Sequence, residues 1–128
     1  IRTSVFTALV LGCIAFSGQE TLAGSVSSGW ITGYQLRNEI VRMENRGLMP
    51  TRIVCKSNTH GDRSTNLNTL FNVTFSPNTA KKKWLWAWGN RVDNYQRRAD
   101  HQGYKLISMN GFTRASGLRV NCAVWHQQ

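Results

Sequence analysis

Apolar residues recur along this chain with two different periods, and the switches between them predict its elements. Leu36, Ile40 and Met43 are spaced four and three apart, as on the buried face of a helix. Thr32 is placed to cap that helix and Gly47 to end it, with Pro50 just beyond. Thr51–Cys55 then has the β-branched composition of a strand. Lys56 to Thr69 is rich in Ser, Asn, Thr and Gly, which predicts a long loop or hairpin end. Leu70–Phe75 is a second strand with Phe71, Val73 and Phe75 on one face, and Ser76 to Thr79 turns the chain.

The next stretch, Lys81-Lys82-Lys83-Trp84-Leu85-Trp86-Ala87-Trp88-Gly89, has a strict period of two. As a strand it sets Trp84, Trp86 and Trp88 in one indole row and Leu85 and Ala87 on the opposite face. Such a row serves either as the spine of a core or as a stacking platform. The helical period then returns, with Val92, Tyr95 and Ala99 expected inward, a cap at Asn90 or Asp93, and Gly103 as the stop. Tyr104–Met109 predicts a strand, Asn110-Gly111 has turn chemistry, and Leu118–Trp125 predicts a last strand with Leu118, Val120, Cys122 and Val124 on one face.

Helix, glycine, strand, loop and strand thus occur twice. The expected fold is α+β: two helix-plus-β-hairpin repeats, about 30–89 and 90–128, forming one antiparallel sheet with both helices packed on one face. Residues 24–128 make a single domain, and the small polar stretch Gly24 to Gly29 is expected to be its flexible start. The run Gly103-Tyr104-Lys105-Leu106-Ile107-Ser108, then Gly111-Phe112, Gly117 and Cys122-Ala123-Val124-Trp125, resembles the short bacterial tandem repeat domain of secreted bacterial proteins, also found beside the catalytic domain of fungal polyglycine hydrolases. The resemblance is good over Val92–Trp125 and loose in the first half, where it rests on Gly47, Pro50 and the tryptophan strand. It implies a helix-plus-hairpin unit acting as an accessory or binding module, and it brings no catalytic residues.

The N-terminal residues change the picture of compartment. Val5 to Phe16 is an apolar run, followed by a polar stretch and the small residue Ala23. Residues 1–23 therefore read as a secretory signal peptide cleaved after Ala23, too short in its apolar part for a membrane span of about 20 residues. The mature protein is expected to be secreted or periplasmic and not transmembrane. A minor alternative keeps Cys13 as a lipidated anchor, because Leu9 to Cys13 loosely resembles a lipobox. Removal of the signal leaves Cys55 and Cys122, an even pair that predicts a disulfide in an oxidising compartment, with two buried thiols as the alternative.

Charge changes it again. Sixteen basic residues against six acidic ones give a formal net charge of +10, which attracts polyanions. Lys81, Lys82 and Lys83 abut the tryptophan row, and Arg91 follows it. Cations beside aromatic faces suit stacking on an anionic or carbohydrate ligand. The leading expectation is a small secreted, basic, non-catalytic binding protein, with Lys81, Lys82, Lys83, Trp84, Trp86, Trp88, Arg91 and the loop Ser57–Asn68 as its surfaces. Its partners would be anionic polysaccharide, lipopolysaccharide, an anionic envelope surface or a protein; an exported chain meets nucleic acid less often. The alternative is a ribonuclease-like toxin in which His60, His101 and His126 supply acid and base. No histidine or cysteine spacing fits a metal, no cofactor motif occurs, and Asp62 alone among the carboxylates lacks an evident structural role.

Overall fold

A computed structural model describes residues 24–58 and 68–128. The expected signal peptide with Cys13, and the loop residues 59–67 with His60 and Asp62, lie outside the described residues. The fold is α+β, with two helices and seven antiparallel strands. Two short strands, β1 (Val26–Ser27) and β2 (Ile31–Thr32), precede α1 (Gly33–Asn45). Then come β3 (Leu48–Ser57), β4 (Thr69–Pro77), β5 (Trp84–Gly89), α2 (Val92–His101), β6 (Tyr104–Thr113) and β7 (Arg119–Gln127).

The strands form two sheets where the sequence predicted one. In the first, β4 is flanked by β3 on one side and by β1 and β2 on the other. In the second, β7 is flanked by β6 and β5. The sheets meet along β3 and β6 through side chains. Ile53 N–H donates to Ser108 Oγ at 3.1 Å, and Cys55 N–H donates to Asn110 Oδ1 at 3.4 Å. A register shift between Leu106 and Ser108 interrupts β6 at this seam and re-aims its side chains there. A disulfide joins Cys55 of β3 to Cys122 of β7. It closes a separation of 67 residues and contributes about 4 kcal/mol in the chain-entropy account. Such cross-links persist in oxidising compartments such as the periplasm or the cell exterior.

The tryptophan strand pairs with β7, not with the strands of the first half: Trp84 lies opposite His126, Trp86 opposite Val124 and Trp88 opposite Cys122. Residues directly opposite share a face. The indoles therefore pack on the main core of Leu36, Ile40, Met43, Ile53, Phe71, Val73, Phe75, Cys122 and Val124. Trp88 meets Phe71 edge to face, with centroids 5.0 Å apart. Leu85 and Ala87 face the other way, into a smaller core of Val92, Ala99, Ala123 and Trp125 beneath α2. Because Cys122 and Val124 alternate with Ala123 and Trp125 along β7, the two helices lie on opposite sides of the second sheet, not on one face. The indole N–H of Trp125, itself buried, donates to Gln96 Oε1 at 2.9 Å and ties α2 down.

Several local expectations change for identifiable reasons. Thr32 caps α1 as predicted and Gln35 completes the capping box, which satisfies two otherwise orphaned N–H groups. For α2 the N-cap is Arg91, without a side-chain bond, and Asp93 sits in the first turn. Gly24 to Gly29 is not a loose start: Val26 pairs with Phe75, and Ser28 N–H donates to Val73 O at 2.9 Å. Asn110-Gly111 is no turn but the interior of β6. A Cβ on Gly111 would lie 2.6 Å from the Val120 carbonyl oxygen and closer still to Asn121 Oδ1, so this glycine permits a close approach and not a reversal. The reversal falls at Gly117 (φ +91), where Arg114 N–H donates to Leu118 O. Tyr95, expected inward, is 47% exposed, because Val92 and Ala99 already fill the short face of α2. No helix among the described residues is long and apolar enough to cross a membrane.

Candidate binding cleft along the tryptophan strand

β5 is an edge strand: its inner edge pairs with β7, and among the described residues no strand pairs with its outer edge. A row of cavities follows that outer edge. The first, about 410 Å³, holds Lys81, Lys82, Lys83 and Trp84, closed by Glu44, Leu48 and Asn78 on one side and Tyr104 on the other. The second, about 310 Å³, lies between Trp84–Trp86 and the outer flank of α1 at Arg37, Val41 and Glu44. The third, about 290 Å³, lies between Trp86–Trp88, Arg37 and Tyr95. On the α2 side a fourth, about 210 Å³, is bounded by Leu85, Trp86, Tyr95 and Arg98. Shared lining residues make these one cleft, floored by the strand edge and walled by the two helices.

The lysine mouth is shaped locally. Asn78 Oδ1 accepts the Lys82 N–H at 2.9 Å, and Asn78 Nδ2 donates to Lys82 O at 2.8 Å. Lys81 N–H donates to Asn78 O, and Lys81 takes the left-handed conformation at φ 52. One asparagine thus holds Lys81 and Lys82 in a tight turn that delivers the chain through Lys83 into β5. All three are exposed. Among the described residues the ion pair is that of Arg42 with Glu39 on α1, so the lysines remain uncompensated at short range. The aromatic groups are arranged differently from a free platform. Each tryptophan of the row is half-buried, packing against the main core while also lining the cleft. The row is thus both part of the core and the floor of the cleft.

Arg91 is exposed at the start of α2 and lines none of these four cavities. Arg37 and Arg98 take the place the sequence assigned to it, with Arg98 over the Tyr95 ring at 5.2 Å. Neither was legible as a site residue: each sits on a helix flank, and nothing local says which strand edge that flank will border. The histidines do not converge among the described residues. His126 is 6% exposed and its Nε2–H donates to Pro50 O at 2.7 Å, on the core side of β7. His101 is exposed on α2, across the sheet. The disulfide takes both described cysteines, and no group of three metal-ligating side chains occurs among the described residues. A second aromatic position, Trp30, is 43% exposed beside a cavity on the outer face of the first sheet. Its ring is covered by Lys56 Nζ at 4.0 Å, a cation–π contact. Compared with family models, curated proteins and solved structures, the chain matches none of them.

Proposed function

We propose that this chain is a small exported, basic, non-catalytic binding protein that recognises an anionic ligand of the cell envelope, or an anionic protein partner, through the cleft along β5. The observation that carries this reading is the lysine mouth: Lys81, Lys82 and Lys83, exposed and without a described ion-pair partner, open onto a cavity that also holds Trp84 and Tyr104. Cations with low-dielectric aromatic walls focus field lines and raise the local concentration of anions. The net charge of +10 extends that attraction to encounter from a distance. Export is supported by the apolar N-terminal run and by the buried Cys55–Cys122 bridge. The two sheets share one strand order, with the strand before the helix pairing the last strand of its unit. That sameness supports reading the chain as two repeats, with β5 opening the second unit.

Retention of the mature protein on a heparin column tests the proposal. The protein is expected to elute well above physiological salt, and the Lys81→Ala/Lys82→Ala/Lys83→Ala variant to elute clearly earlier, since each lost phosphate-like contact removes about one unit of salt slope. Flow-through of the parent, or identical elution of the variant, overturns it.

A further inference from the structure

We infer that the outer edge of β5 accepts an extended, acidic polypeptide segment as an added strand; this rests on the proposed role of the cleft as an anion-binding site. The register supplies the first reason. Gln127 N–H donates to Lys83 O, and Leu85 lies opposite Trp125. In an antiparallel pair, residues alternate between facing the partner strand and facing away. Leu85, Ala87 and Gly89 therefore exchange hydrogen bonds with β7, while the N–H and C=O groups of Trp84, Trp86 and Trp88 point outward. Among the described residues no strand pairs with this edge, and no turn, cap or side-chain hydrogen bond reaches those groups. An unprotected edge of this kind is a template for another strand.

The cleft has the shape such a strand needs. Side chains of an extended segment alternate between two sides. On one side they would meet Val41 and Arg37 of α1, and on the other Tyr95 and Arg98 of α2. Val41 and Tyr95 are each 47% exposed, so both walls offer an apolar group beside a cation. The six residues of β5 span about 20 Å, long enough for a segment of six to eight residues. Charge selects the occupant: arginines on both walls and three lysines at the mouth favour carboxylates, with Glu44 the one acid set against them. A second copy of this chain brings the same +10 charge and is repelled.

The test uses the disulfide-intact mature protein and an end-blocked, fluorescein-labelled ten-residue peptide of alternating Glu and Val, followed by anisotropy. Binding is expected, with at least a tenfold loss when every backbone amide of the peptide is N-methylated, a change that leaves its charge and side chains intact. Amide exchange at Trp84, Trp86 and Trp88 is expected to slow on binding, while that at Leu85 and Ala87 stays as it was. The folded Arg37→Glu/Arg98→Glu variant should lose at least tenfold in affinity. No binding of the peptide, equal binding of the methylated peptide, or unchanged exchange at the three tryptophans overturns strand addition. So does tighter binding of a single-stranded oligonucleotide of equal charge. Heparin retention that survives such a result leaves the anion-binding proposal standing; loss of heparin retention overturns both.

Discussion

The two sheets end in edges of opposite character. In the first sheet, β1 and β2 are two residues each, separated by a bend in which Gly29 takes φ +66. The gap is filled from within: the Val73 N–H that faces it donates to Ser28 Oγ at 3.0 Å. In the second sheet, β5 occupies the same place in the strand order yet runs unbroken for six residues. Short, interrupted edges with internal caps resist pairing with other chains; long straight ones invite it unless flanking charge deters it. The same contrast continues into the helices that follow. β2 passes into α1 through a full capping box, whereas β5 passes into α2 through Gly89 at φ +139 with no side-chain cap. One edge is closed and firmly anchored. The other is open, bordered by cations, and less tightly joined to its helix.

That contrast can be broken at several points. The largest effect should come from uncoupling the sheets: Cys55→Ala/Cys122→Ala is expected to cost about 4 kcal/mol by the loop-entropy estimate, read as a lower urea midpoint at unchanged pH. Next, Trp88→Ala should cost about 3 kcal/mol, because its ring packs on Phe71 in the main core. Trp30→Ala, on the closed edge and largely outside the core, should cost under about 1 kcal/mol; equal costs would mean that the two edges are not differently built. Thr32→Ala should remove the α1 cap at a cost of about 1 kcal/mol. Arg91→Ser should do the reverse at α2, adding a cap and gaining about 0.5 kcal/mol in thermal or urea unfolding. Smallest is a kinetic contrast in the free protein. Amide exchange should be faster at Trp84, Trp86 and Trp88 than at Leu85 and Ala87, while Val73 on the closed side remains protected.

Much of the local structure was legible in the chain. The stripe Leu36, Ile40, Met43 and the cap at Thr32 announce α1 because a helix repeats its face every 3.6 residues and its first N–H groups need an acceptor. The alternation through Trp84 to Trp88 places the indoles on one face for the same kind of reason. Other signals misled because one residue type serves two ends. Asn110-Gly111 has the composition of a turn, but Gly111 is used for its missing Cβ, at a strand contact too close for any side chain. Val26 and Ile31 belong to two-residue strands with too little sequence to show a period. The cleft itself was half legible: Lys81 to Trp88 marked its floor and mouth, while Arg37, Val41, Tyr95 and Arg98 of its walls carried no local mark.

What the residues settled unaided is whatever depends on neighbours within a turn or two: helix faces, strand faces, caps, the cationic run and its place beside the indoles. Which strand β5 would pair with, and so which of its edges stays open, was decided by long-range packing. Pairing with β7 turns the indoles into the main core, sets the backbone of Trp84, Trp86 and Trp88 outward, and brings flanks of α1 and α2 to either side. The reason is that side-chain alternation specifies faces but not partners. A strand's partner is chosen by the total burial and hydrogen bonding that each arrangement of the whole chain permits.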